Sequence, residues 1–295
     1  MILTELNGLM DPVVFERSLP DQRVVGLQEP GWPVPGWAAP GRPGTARGRA
    51  RIALLVHGVA CTWTFMRRLG VDLERLEGRR GEPYYTQVAH LAHDWRRSIE
   101  DNAERLVKLL GELAGRASVD LFGYSQGGLL VRRAAELAGP RARALGLRHV
   151  FTFNAPHGGS PLAHVSGSRL LGWSRRLLGK LAVWGCDGIR DLAPDAPFLR
   201  SLGKPPEGVA YTFLAGNSGW SFLRGITQPL FGAEPNDGVA TVPSQLGAPA
   251  DDCLVSAMKS RIARLVLPFH HFSIAGGLPG DPLLESIAGR IALAL

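Results

Sequence analysis

The sequence predicts an α/β fold with a mainly parallel central sheet and helices on both faces. From residue 51 onward, short apolar runs of strand length alternate with segments of helical periodicity. The runs are continuously apolar, as in strands covered on both faces. The scale also fits: 295 residues, 45% hydrophobic and 20% charged, with mean hydropathy +0.03, suit one large domain and exclude a disordered chain.

The elements follow in order. Residues 1–50 read as an extended arm, because Glu29 to Gly48 is too dense in proline and glycine for a helix interior or a central strand. A short amphipathic helix is expected over 2–10. Residues 51–295 read as the α/β domain, with a helical cap inserted at about 161–209. Strands are expected at Ile52–Val56, Tyr84–Leu91, Val119–Phe122, Val150–Phe153, Tyr211–Ala215 and Ile262–Leu267. Ile99, Leu106, Leu109, Leu110 and Leu113 recur near 3.6-residue spacing and predict a helix over 98–114. Further helices are expected over 128–138 and 283–293.

Composition narrows the function classes. Lys and Arg number 33 against 26 Asp and Glu, a net charge of +7. The arginines are scattered, so no nucleic-acid partner is expected. No apolar run reaches the length of a membrane-spanning helix. Met1–Leu6 lacks a basic segment and a long apolar core, so a cytoplasmic location is the default. Cys61, Cys186 and Cys253 have no CxxC spacing; they fit neither a zinc site nor a disulfide framework, although one bridge is possible. No cofactor and no metal is expected.

In open parallel sheets the chemistry lies beyond the carboxyl ends of the strands. After the strand ending at Phe122 comes Gly123-Tyr124-Ser125-Gln126-Gly127-Gly128, a G-x-S-x-G turn between strand and helix. Its glycines allow the tight turn that lifts the Ser125 hydroxyl above the sheet at a helix amino end. A serine hydroxyl needs a base and the base an orienting acid, here expected in the order Ser, Asp, His. The base is His271, with His270 as the alternative, just after the last strand. The acid is Asp237, in the Asn236-Asp237-Gly238 turn; Asp251 and Asp252 lack comparable loop chemistry. An oxyanion would take the N–H groups of Gln126, after the nucleophile, and Val59, after the first core strand. His57 reads as structural.

These pieces, with His93-Asp94-Trp95-Arg96 and Asn154-Ala155-Pro156-His157-Gly158-Gly159-Ser160, resemble the α/β-hydrolase superfamily. Within it the chain is similar to lipases and to relatives of lecithin–cholesterol acyltransferase and the GPI inositol-deacylases, over residues 52–273. The resemblance implies an α/β-hydrolase fold and an ester-cleaving enzyme with Ser125, Asp237 and His271 as its triad. His93 departs from the acyltransferase pattern, which has tyrosine there. The arm has no counterpart, and the calcium site of some bacterial lipases has no match.

Asp94 and Trp95 read equally as substrate-facing or structural, Asp94 in the second case capping the helix near Ser98 or pairing with Arg96. His157 reads as scaffold or as lining the site. Arg169, Trp173, Arg176 and Lys180 form one helical stripe, with Leu170, Leu177, Leu181 and Trp184 beside it. Trp173, Leu177 and Trp184 are therefore candidate lid residues over an apolar acyl site, either touching a lipid surface or permanently docked. The expected substrate is a lipid or other apolar ester. Transfer of the acyl group to an alcohol, and a non-catalytic binding role on the same fold, are the alternatives. The oligomeric state is left open.

Overall fold

The computed structural model describes residues 25–27, 49–61, 63–78, 81–165, 186–219, 229–247 and 262–272. In chain order the elements are β1 (Val25–Leu27), β2 (Ala50–Val56), α1 (Arg67–Glu74), β3 (Gln87–Leu91), α2 (Ile99–Leu113), β4 (Ala117–Tyr124) and α3 (Gln126–Ala138). There follow β5 (Leu147–Phe153), the short helices α4 (Leu162–Val165), α5 (Asp187–Arg190) and α6 (Pro197–Ser201), then β6 (Ala210–Gly216), α7 (Val242–Gln245) and β7 (Ile262–Leu267). The seven described strands make one sheet in the order β1-β3-β2-β4-β5-β6-β7. Every neighbouring pair is parallel.

The side-chain period of two sorts the strand residues onto two buried faces. Ile52, Leu54, Val56, Leu121, Val150 and Phe213 meet the apolar stripes of α2 and α3 on one side. Ala53, Leu55, Phe122, Phe151, Phe153 and Leu214 meet α1 on the other, through Met66, Leu69 and Leu73. Phe122 and Phe151 stack across adjacent strands with centroids 4.5 Å apart. All eight residues of β4 are buried, which makes it the central strand.

Several boundaries differ from the sequence expectation, for local reasons. The second expected strand starts at Gln87 rather than Tyr84, because Tyr84 N donates to Leu76 O and Glu77 bridges Pro83 outside the sheet. Helix α3 starts two residues early, because the turn at Ser125 completes the reversal within a single residue. The arm segment contributes β1, proline-free Val25–Leu27, which pairs in parallel with β3 at the edge of the sheet. The helices expected over 2–10 and 283–293, Cys253 and Asp251–Asp252 lie outside the described residues. Cys61 and Cys186 are free thiols.

Helices α2 and α3 are also tied by charge. Arg133 forks onto both carboxylate oxygens of Glu100, at 2.7 and 2.9 Å. Arg132, 2% exposed, bonds Glu136 Oε1 at 2.9 Å and the Gly203 carbonyl at 3.2 Å. A pair this deep is dangerous to break on one side only, since the survivor remains buried. Arg132→Met should lower unfolding free energy by about 3 kcal/mol in urea titration, the low end for such pairs, because Arg133 and Gly203 N still reach Glu136.

Candidate active site

The candidate residues gather at the carboxyl ends of the strands. Ser125 directly follows β4 with φ +52° and ψ −122°. Left-handed φ at a residue with a side chain costs roughly 1–3 kcal/mol and persists only where the surroundings enforce it. Here Ser125 N donates to Phe153 O at 2.8 Å, and Gly128 N donates to Ser125 O at 2.9 Å. The first turn of α3 lies directly on the end of β2. A β carbon on Gly127 would run into the carbonyl oxygens of Val56 and His57, so no other residue permits this approach.

His271 joins the two expected partners. Its Nε2 is 3.0 Å from Ser125 Oγ and its Nδ1 is 2.7 Å from Asp237 Oδ2. A carboxylate only accepts, so Nδ1–H donates to Asp237 and Nε2 is left to accept from the serine hydroxyl. The other oxygen, Oδ1, accepts from Val239 N at 2.9 Å and Ala240 N at 2.8 Å. The backbone doubles the link: His271 N donates to Asp237 O at 2.8 Å. Asp237 is fully buried and Ser125 is 7% exposed. His270 contributes its carbonyl, which accepts from Asn154 Nδ2 at 3.5 Å; the relay runs through its neighbour.

Two supports have only faint sequence signals. Asn154, itself at φ +49° and fully buried, also donates Nδ2 to His271 O at 3.1 Å. Asparagine is among the side chains that best tolerate positive φ, and its position just past a strand was the available clue. Gln245 is clamped across the acid's loop, donating to Gly216 O at 3.0 Å and Ala240 O at 2.9 Å while accepting from Gly216 N. Nothing local in the sequence marks that role.

The loop after β2 packs on Ser125. A β carbon on Gly58 would come within 2.8 Å of Ser125 Cβ. His57 Nδ1 donates to Gly58 O at 2.9 Å, and Cys61 N approaches the same oxygen at 3.4 Å. In a trans peptide this turns the Val59 N–H to the opposite side. Neither that N–H nor that of Gln126 has an acceptor among the described residues. The Gln126 side chain is committed elsewhere, bridging Trp95 O at 3.0 Å and Gly188 O at 2.8 Å.

Aromatic rings wall one side. Tyr124 lies 5.3 Å from the His271 ring, and Phe65 meets Tyr124 at 4.7 Å and Phe272 at 6.0 Å. Phe272, 36% exposed, stands edge-on to His271 at 5.4 Å. Burial pushes the Tyr124 phenol well above its ordinary value, so it stays neutral.

The remaining candidates are not at the relay. Asp94 does not cap α2; Ser98 does, accepting from Asp101 N. Asp94 instead accepts from Arg96 N at 3.1 Å and attracts Arg96 and Arg97 at the surface. Trp95 offers its carbonyl to Gln126 and its ring to Arg96. His157 is buried, bonding Thr152 Oγ1 at 3.2 Å and standing edge-on to Phe213. Trp173, Leu177 and Trp184 lie outside the described residues. Among the described residues no group of three His, Cys, Asp or Glu could hold a metal ion, and no helix is long and apolar enough to cross a membrane.

An all-parallel sheet covered on both faces, with a strained serine turn after its central strand, defines the α/β-hydrolase fold. Solved structures with this fold bear the likeness out. A Bacillus licheniformis lipase, BlEst2, in its mature form superimposes with TM-score 0.58 at 21% identity, over 85% of this chain and 97% of that one. The metagenomic carboxyl esterase MGS0156 gives TM-score 0.51 at 20% identity, over 97% of this chain and 84% of that one. No protein-family model matches the chain, and no curated protein sequence does.

Burial also shifts the histidines behind the site. His57, stacked on His93 at 4.2 Å, is lowered from 6.5 to about 4, and His90 to about 3. His149, also lowered by burial, falls to about 4. The unfolded chain binds protons more readily at these three, so stability is lost as pH falls from about 6.5 towards 4. Asp120, raised by burial to about 6, works the other way, as do Glu136 and Asp191, also raised by burial, but His93 and His157, held well below 6.5 by burial, add to the loss. Urea midpoints should therefore fall steadily between pH 6.5 and 4, and the His57 and His90 ring signals in NMR should stay flat from pH 8 to 5.

Proposed function

We propose that this chain is a serine carboxylester hydrolase of the lipase/esterase type, acting on esters with an apolar acyl chain. The observation that carries the reading is the relay from Ser125 Oγ through His271 to Asp237, with contacts of 3.0 and 2.7 Å. Ser125 attacks the acyl carbonyl carbon while His271 Nε2 takes its proton. The Val59 and Gln126 N–H groups receive the oxyanion. The carbon–oxygen bond to the alcohol breaks, and His271 returns the proton to that leaving oxygen. Water, deprotonated by His271, then cleaves the acyl-enzyme, releasing the acid and restoring Ser125. Asp237 holds the imidazole tautomer and stabilises the imidazolium. No cofactor or metal takes part in these steps.

The acyl class is read from the Tyr124 and Phe272 rings beside His271, with Phe65 packed against both. The lipase and carboxyl esterase named among the solved neighbours agree with that class. We take residues 51–295 as the catalytic domain with a cap over about 161–209, and residues 1–50 as an arm that lends β1 to the sheet.

Ser125→Ala should cut p-nitrophenyl ester turnover by roughly 10³-fold or more and abolish fluorophosphonate labelling, because triad members act as a unit. Unchanged turnover in that variant overturns the reading. Phe272→Ala should weaken kcat/KM for a long-chain ester by roughly an order of magnitude, the scale of losing one buried aromatic contact, while leaving acetyl ester turnover close to wild type.

A further inference from the structure

At the opposite end of the sheet, the amino ends of β2, β4 and β5 surround a recess of about 310 Å³. Its lining is Arg49, Arg51, Ser118, Arg143, Gly146 and Arg148, four guanidinium groups and no carboxylate. Ser118, near the start of β4, and Ser125, just past its end, are seven positions apart, roughly 23 Å at strand rise, so the recess is distinct from the candidate active site.

The four arginines differ from others in the chain. Arg132, Arg133 and Arg190 each have a carboxylate partner. None of the four has an ion pair among the described residues. They are nevertheless held in place. Arg51 lies over the Tyr84 ring at 4.7 Å, Arg49 Nε donates to Gly115 O at 3.4 Å, and the Arg143 stem lies against Gly208. Arg148 is placed by an irregularity in the sheet. The β4–β5 register pairs Val119 with Leu147 and Asp120 with His149, so Arg148 is the extra residue of a bulge. A bulge re-aims a side chain out of the regular alternation. It leaves Leu147 and His149 buried and turns Arg148 outward.

Four guanidinium groups brought this close repel one another, and no carboxylate in the lining offsets them. A ligand with several adjacent negative oxygens relieves that repulsion, and the planar guanidinium fork matches phosphate oxygens in pairs. A single carboxylate offers one charge against four. Asp120, the carboxyl on which Arg51 and Arg148 act, lies buried outside the lining, where it accepts from the Tyr85 hydroxyl at 3.0 Å, and sets one charge against four.

We propose that this recess is a binding site for a multiply charged phosphoanion, carried either by a free pyrophosphate-type ligand or by a phosphorylated lipid headgroup. The test uses the full chain. Calorimetric titration with sodium pyrophosphate should show binding that weakens as salt is raised. Arg51→Gln/Arg148→Gln should weaken it at least tenfold, while the control Arg67→Gln/Arg68→Gln on α1 should not. If the first variant fails to fold by circular dichroism, Arg143→Gln on the exposed turn replaces it, with a loss of severalfold expected. Sedimentation with phosphatidylcholine vesicles, with and without phosphatidylinositol 4-phosphate, separates the sources: retention by the phosphorylated vesicles alone, lost in the recess variant, assigns the headgroup, and pyrophosphate binding without retention assigns the free anion. No binding by wild type in either arm, or equal loss in the control variant, overturns the proposal. Fluorophosphonate labelling of Ser125 should be unchanged in the recess variants, which keeps this result separate from any failure of the catalytic reading.

Discussion

The close approach of α3 to the carboxyl end of β2 is the constraint on which the candidate active site depends. It exists because residue 127 has no side chain to keep the helix off the Val56 and His57 carbonyls. Through it, the Ser125 turn, the amino end of α3 and the Gly58–Val59 loop become one unit. The left-handed φ of Ser125 is tolerable because the same packing removes the alternatives: its N–H is held by Phe153 and its carbonyl by Gly128. The energy to hold this strain comes from β4, buried along its whole length, and from two apolar layers that fix the sheet on both sides. Backbone donors held in place by packing need no rearrangement to meet a developing negative charge.

Asp237 and His271 arrive from the loops beyond β6 and β7, and their placement follows a different logic. Asp237 and His271 are tied by side chain and backbone at once, so the two loops move as one piece. Asn154, just past the end of β5, pins the His271 carbonyl and thereby connects that piece to the strand beside Ser125. Gln245 does the same for the acid's loop against the end of β6. Buried polar groups of this kind are costly when half satisfied and specify a single arrangement when complete. The polar network is consequently a positional device more than a source of stability.

Much of this was legible in the sequence, and the reasons are local. The G-x-S-x-G turn is legible because its glycines answer a short-range steric demand. The strands are legible because burial on both faces leaves continuous apolar runs. The order of Ser125, Asp237 and His271 is legible because the fold fixes where the strands end. What escaped are the contacts set by tertiary geometry. Glu77 pairing with Pro83 shortened the second strand, and β1 took an edge place that no hydrophobic pattern of three residues announces. Asp94 gave way to Ser98 as helix cap because Ser98 stands directly before the first helical residue, at the distance from which a side chain can reach Asp101 N. The sequence favours His271 and keeps His270 as the alternative, because adjacent identical residues do not show the direction of each side chain; in the structure His271 is the one between Ser125 and Asp237.

The bulge at Arg148 shows the same limit from another side. Arginines at 49, 51, 143 and 148 look scattered along the chain, and scattered charge argues against a site. The parallel register removes the scatter: β2 and β5 flank β4, so residues nearly a hundred positions apart come to one strand end. One extra residue in β5 then directs a fourth cation where alternation alone would not. Net charge is a property of composition, but a site is a property of register. The same +7 that says little as a total becomes specific once the sheet determines which of its cations line one recess together.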